Sequence, residues 1–266
     1  MRTVGVGQVV FALTMIGVGI LGIVQHDFVQ VWQPVPKTFP AREALVWLCV
    51  AVSIACGAGL LWRHSAAPAA RVLFFYLLLW MLVFKLRFIV LAPGVEGSYQ
   101  NNGENAVIVA GAWVLYVWLA TGWDKRHLGF FSGETGLRAA RALYALAMIA
   151  FGLSHFYYLN FTAPLVPAWL PWHVGWAYFT GGAYLAAGVA MLTGICAKPA
   201  AILSALQMGL FTFLVWLPLA LAGTITASQW GEFVVSWVLT AAAWVVADSY
   251  RGAGWLAAGK QVRSWT

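Results

Sequence analysis

The chain has 266 residues, of which 62% are hydrophobic and 9% charged, against about 25% charged and 45–50% apolar residues in an ordinary soluble domain. A soluble exterior cannot be built from so little charge, so a soluble enzyme, a disordered chain and a nucleic-acid-binding domain are excluded. What remains is an all-α polytopic membrane protein, with the lipid bilayer as its first partner and no nucleic acid. At about 20 apolar residues per span the composition allows about eight spans, and the net charge of +7 is expected in basic loops on one side.

In chain order, the first apolar run, Val4–Val24, is expected to be a retained span, because no small-residue cleavage site precedes His26 and Asp27. The second, Ala44–Trp62, carries Cys49 and Cys56, about 10 Å apart along a helix and unable to bridge. With Cys196 and no CxxC, they argue against a dithiol redox centre and for inert buried thiols. The third, Val72–Val90, holds Lys85 and Arg87, and the fourth is Ala106–Trp123. The second group of four reads Ala142–Phe156, Val174–Leu192, Ala200–Leu219 and Trp230–Val246.

The loops alternate in charge. One side holds Arg2, Arg63, Arg71, Lys125, Arg126, Arg138, Arg141, Lys198, Arg251, Lys260 and Arg263, while the other holds Lys37 and Arg42. Eleven against two is a strong positive-inside signal, which predicts eight spans with both termini in the cytoplasm.

The chain also repeats itself. Phe11–Gly19 (FALTMIGVG) matches Tyr144–Gly152 (YALAMIAFG) at five of nine positions. Ala55, Gly57 and Leu61 fall on Ala186, Gly188 and Leu192, and Ala66–Ala70 (AAPAA) falls on Ala197–Ala201 (AKPAA). The reading is two tandem four-helix units of the same orientation, related by an axis along the membrane normal, each able to close as a four-helix bundle. Their limits are 1–123 and 142–247, with a basic cytoplasmic linker at 124–141 and a cationic tail at 248–266.

The stretch Gly152–Leu203 has a G-x-x-HF end to its first span, then VPAWLP, a Gly-rich second span and a Pro-containing turn. In these features it resembles the DoxX-like family of four-span bacterial membrane proteins, so the whole chain looks like two DoxX-like units fused. The resemblance implies a bacterial inner-membrane location and a link to quinone-dependent redox metabolism. Members often carry a Glu in the second span, where this chain has Tyr184 and, in the first half, Ser53.

Ionisable groups inside a membrane cost about 2.5–3.5 kcal/mol on insertion scales and mark candidate sites. Lys85 and Arg87 are placed in the outer third of the bilayer. Two positions on a helix differ by about 200°, so one is expected to snorkel and the other to point inward, toward Glu96, Glu104, Asp27 or Glu43. Trp216 and Pro218 hold the matching places in the second half, which predicts a charged site in the first half alone. His155, His173 and Glu232 form a second outer group, able to hydrogen-bond a quinone but lacking the i, i+3 or i, i+4 spacing of a helical metal site; no metal is expected. The segment Tyr157–His173, with Tyr157, Tyr158, Trp169 and Trp172 among three prolines, reads as an interfacial anchor or as the lid of an apolar pocket. Gln207 reads as an interhelical hydrogen bond.

No catalytic motif is present, so any enzymatic role is that of a subunit. The leading expectation is a membrane subunit or accessory of a respiratory or redox system, with an outward-facing ligand site drawn from Lys85, Arg87, Glu104, His155, His173 and Glu232. Quinone is its candidate cofactor and a redox enzyme subunit its candidate partner. The alternatives are a carrier for a small or lipid-like substrate and a membrane scaffold or chaperone for another protein.

Overall fold

The computed structural model describes residues 5–29 and 35–256, the side chains of 227 and 228 excepted. Val4, Arg2, Lys260 and Arg263 therefore lie outside the described residues. Within them the chain is all helical, with no strand. Eight long helices follow one another: α1 Val6–Gln25, α2 Arg42–Leu61, α3 Ala66–Leu91, α4 Glu96–Leu119, α5 Glu134–Tyr157, α6 His173–Thr193, α7 Ala197–Leu221 and α8 Ala227–Ser249. Six are long and apolar enough to cross a membrane: α1, α2, α3, α5, α7 and the Gln229–Ser249 part of α8. Leu13, Leu79, Val90, Phe179 and Leu206 face outward, an exterior suited to lipid, and the chain reads as a multi-pass membrane protein.

The boundaries differ from the hydropathy reading where polar sequence stays helical. α4 starts at Glu96 rather than Ala106, because its amides bond within the turn: Asn102 Nδ2 donates to the Ser98 carbonyl at 2.8 Å and Gln100 Nε2 to Glu104 at 3.0 Å. The expected linker at 124–141 is largely helical. Short helices fill Gly122–His127 and Gly129–Ser132, and α5 already begins at Glu134.

Corresponding helices of the two halves have matching internal geometry. Each third helix carries a π-helical segment, Met81–Lys85 in α3 and Thr212–Trp216 in α7, 131 positions apart. A Cβ on Gly57 of α2 would stand 2.7 Å from the Ala12 carbonyl oxygen of α1; on Gly188 of α6 it would stand 2.7 Å from that of Ala145 of α5. The two first-to-second helix contacts are thus the same close approach of backbones, possible only without a side chain.

The halves do not close as separate four-helix bundles. α1 packs on α2 and on α8, α5 packs on α6 and on α4, and α4 meets α8 between them. Each first helix thus docks on the fourth helix of the other half. Small residues on the fourth helices cause this. At Gly111 of α4 an added Cβ would lie 2.7 Å from the Ala242 Cβ of α8, so these helices approach closely and share one core. Gly103 of α4 lies against Phe151 of α5, and Gly7 of α1 against Val245 of α8. Val107, Ala110, Val114, Ala241, Ala242 and Val245 line this seam with almost no exposure.

Asp124 closes one end of the bundle. It caps its short helix through Thr121, whose backbone N–H and hydroxyl donate to Oδ2 at 2.8 and 2.6 Å. Arg71 of α3 donates to both carboxylate oxygens, and Tyr116 of α4 to Oδ1. Burial pushes the carboxyl up, but the bonds from Arg71, Thr121 and Tyr116 outweigh it and hold Asp124 well below the usual carboxylate range. At this same end, Arg141 of α5 lies over the Tyr250 ring at 4.2 Å and Lys198 of α7 over Trp255 at 5.0 Å.

Candidate functional site

At the opposite end, the π segment of α3 turns Lys85 inward. Its side chain has no exposure, and its ammonium donates to the Asn101 side-chain oxygen and, at 3.4 Å, to the Asn101 carbonyl of α4. In return Asn102 Nδ2 donates to the Lys85 carbonyl at 2.9 Å, at the point where the helical pattern changes. α7 is tied to α8 at the same place, where Thr212 bonds Thr240 at 3.0 Å and shares a bond with Ser236. Trp216 fills the position that Lys85 takes in α3 and is buried.

The charges that face Lys85 are Glu104 of α4 and Glu232 of α8. Both carboxylates are half-buried, and Glu104 Oε1 also accepts from Gln100. One ammonium and two carboxylates, drawn from three helices, thus lie within electrostatic reach of one another at this end of the α4–α8 seam. The expectation of a site in the first half alone is corrected here, since Glu232 comes from the second. The shared seam is the reason: with α4 and α8 in contact, the first turns of α8 reach the inward face of α3.

The other residues are placed differently. Arg87 is exposed, with its guanidinium over Phe88 at 5.1 Å, so Lys85 and Arg87 part company as their spacing requires. Asp27 pairs with Arg42 at 2.6 Å rather than with Lys85. Glu43 is exposed, and both carboxylate oxygens of Glu96 are buried without a hydrogen-bond partner. His155 is bound within its own helix. Its Nδ1 donates to the Phe151 carbonyl at 2.7 Å, and its ring lies 5.8 Å from Tyr184 of α6. His173 is the first residue of α6 and half-buried. Among the described residues no three His, Cys, Asp or Glu side chains are grouped to hold a metal. Cys49 and Cys56 are free and buried, and Gln207 Nε2 donates across to the Thr180 carbonyl of α6 at 3.1 Å.

The amides of α4 were not among the residues singled out by sequence. Their signal is the string Gln100–Asn105 (QNNGEN), which lies directly before an apolar run and holds both Lys85 and its carboxylate partner in place. The aromatic segment after α5 presents Tyr157, Phe161, Trp169 and Trp172 outward, while Tyr158 turns in and accepts a bond at 3.0 Å from the Gly97 N–H of α4.

No protein-family model, curated protein or solved structure matches the chain.

Proposed function

We propose that the chain is a DoxX-like inner-membrane protein, formed from two four-span units by duplication, with eight spans and both termini in the cytoplasm. Support for the duplication comes from the paired π segments and the paired Gly57 and Gly188 contacts. Support for the orientation comes from the cations that gather at the Asp124 end.

Its role in this reading is that of a membrane subunit or accessory of a redox system, binding the head of a quinone at Lys85, Glu104 and Glu232. The observation that carries it is the fully buried Lys85 ammonium facing carboxylates from both halves. Intramembrane charges of this kind are retained where a ligand or proton is handled. The donor set fits such a group, since the Lys85 ammonium suits a carbonyl oxygen, and two half-exposed carboxylates can accept from a hydroxyl or exchange its proton. A bound quinone supplies two-electron chemistry coupled to two protons. In this reading Glu104 and Glu232 would accept or supply those protons.

A specific observation disfavours the carrier alternative. Below the cluster the seam is filled by Gly111 against Ala242 and by side chains without exposure, so no path runs through it along the α4–α8 seam.

The test is a titration of the purified full-length protein with ubiquinone-1, read by quenching of tryptophan fluorescence. Saturable binding is expected, weakened at least tenfold in Lys85→Met and unchanged in Arg87→Ala. Equal affinity in Lys85→Met and the parent overturns the assignment. Purification from native membranes with mass spectrometry of retained molecules tests the redox partner, and recovery with a fixed non-redox protein instead supports the scaffold reading.

A further inference from the structure

At the Asp124 end, the connection between α4 and α5 is kept close to the helix ends. Only Ala120 and Thr121 separate α4 from the short helix Gly122–His127, and only Gly133 separates the next, Gly129–Ser132, from α5. Its inner side is fixed to the bundle beyond the bonds of Asp124. Ser132 Oγ donates to the Asp124 carbonyl at 3.2 Å, and Trp113 Nε1 donates to the Phe131 carbonyl at 2.8 Å. The Phe131 ring packs among Phe74, Phe75 and Trp113.

The outer side differs in character. Trp123 is 47% and Phe130 58% exposed, and Lys125, Arg126 and His127 are exposed with them. Trp123, Arg126 and His127, at i, i+3 and i+4, share one face of the short helix, and the His127 ring is stacked on Trp123 at 4.7 Å. The Arg71 guanidinium lies over the same indole, also at 4.7 Å. It donates to Asp124 through Nε and Nη2; neither bond uses Nη1, and the side chain is 29% exposed. Three cations, Arg71, Lys125 and Arg126, thus stand on or beside one exposed indole. The neighbouring carboxylate, Asp124, is turned inward and already bonded.

We infer that the 122–133 connection is a binding site for an anionic phospholipid of the adjoining leaflet. Its phosphate is held by Lys125, Arg126 and Nη1 of Arg71, and its glycerol and upper acyl region lie against Trp123 and Phe130. Basic residues attract anionic headgroups and exposed aromatic rings settle at the headgroup level, and a segment that offers both on one side lies in the interface plane. A lipid is favoured over free phosphate because an inorganic ion covers neither ring. The site is at the opposite end of the bundle from Lys85, so it does not depend on the quinone reading.

The test is native mass spectrometry of the full-length protein in detergent micelles. It is titrated with dioleoylphosphatidylglycerol and, separately, with dioleoylphosphatidylcholine, which has the same chains and no net charge. The first phosphatidylglycerol is expected to bind about tenfold more tightly than phosphatidylcholine. Lys125→Ala combined with Arg126→Ala removes most of that preference. Lys37→Ala combined with Arg87→Ala, the same loss of charge at the opposite end, leaves it intact. Inorganic phosphate at the concentration of the lipid does not displace it. Equal affinity for the two lipids, or a preference unchanged in the Lys125 and Arg126 double variant, overturns the inference. Displacement by inorganic phosphate overturns the assignment to a lipid.

Discussion

Arg71 and Asp124, 53 positions apart, meet through two hydrogen bonds of 2.6 and 3.0 Å that tie the start of α3 to the turn after α4. Asp124 has no exposure, so Asp124→Asn leaves Arg71 without its counter-charge and weakens the bonds that Thr121 donates. A hydrogen bond to a charged group contributes about 1.5–3 kcal/mol, and with Arg71 still 29% exposed a moderately lower chemical-denaturation midpoint is expected. The carboxyl is held below its ordinary value of 3.8, so its stabilisation is fully present above that pH. It is lost only as pH falls through the still lower folded-state value. The difference between parent and variant should accordingly stay constant from pH 5 to pH 8; a difference that grows or shrinks across this range contradicts the assignment.

Gly111 and Ala242 define the α4–α8 seam. Gly111→Leu forces the two fourth helices apart and is expected to cost about 1–3 kcal/mol, as overpacking does. Gly111→Ala is the milder case. Combining it with Ala242→Gly should recover only part of the loss, because the added Cβ meets the Ala242 Cβ at 2.7 Å but also its Cα at 2.8 Å. A double-mutant cycle with no coupling would show that these residues are not in contact.

Gly57 and Gly188 make a paired prediction. In both, an added Cβ meets a backbone carbonyl at 2.7 Å, which no rotamer change relieves. Gly57→Ala and Gly188→Ala should therefore destabilise by similar amounts, while Gly182→Ala, with nothing within 4 Å, should be close to neutral. Thermal unfolding of the three purified variants gives the comparison.

Asn102 serves the backbone of Lys85. Asn102→Leu removes the side-chain donor to the Lys85 carbonyl, at a net cost of about 0.5–1.5 kcal/mol. Hydrogen exchange of the α3 amides after Met81 should quicken in this variant. Equal protection in variant and parent would mean that the π segment stands without Asn102.

The helical class and the apolar spans are legible in composition and run length, because lipid demands long apolar helices with their backbone bonds satisfied internally. That Lys85 and Arg87 part company is legible in helical angle; which of them points inward is not. The partners of Lys85 are legible only in part. Of the four carboxylates expected near it, Glu104 is there, Asp27 is taken by Arg42, Glu43 is exposed and Glu96 stands without a hydrogen bond. Glu232 was assigned by sequence to the histidines, since it belongs to a helix far along the chain. The start of α4 was missed because a hydropathy window ends where polar residues begin, whereas a helix continues wherever those residues can bond to their own turn.

What the sequence by itself determined is therefore local: an apolar composition, helices of membrane-crossing length and a Lys85–Arg87 pair whose members face opposite ways. Which helices touch was decided only in the tertiary structure. Glycine and alanine on α4 and α8 let two backbones come together, and that contact docks each first helix on the other half and carries Glu232 to Lys85. Close approach depends on the side chains of both partners at once, and no periodicity within a single helix encodes its partner.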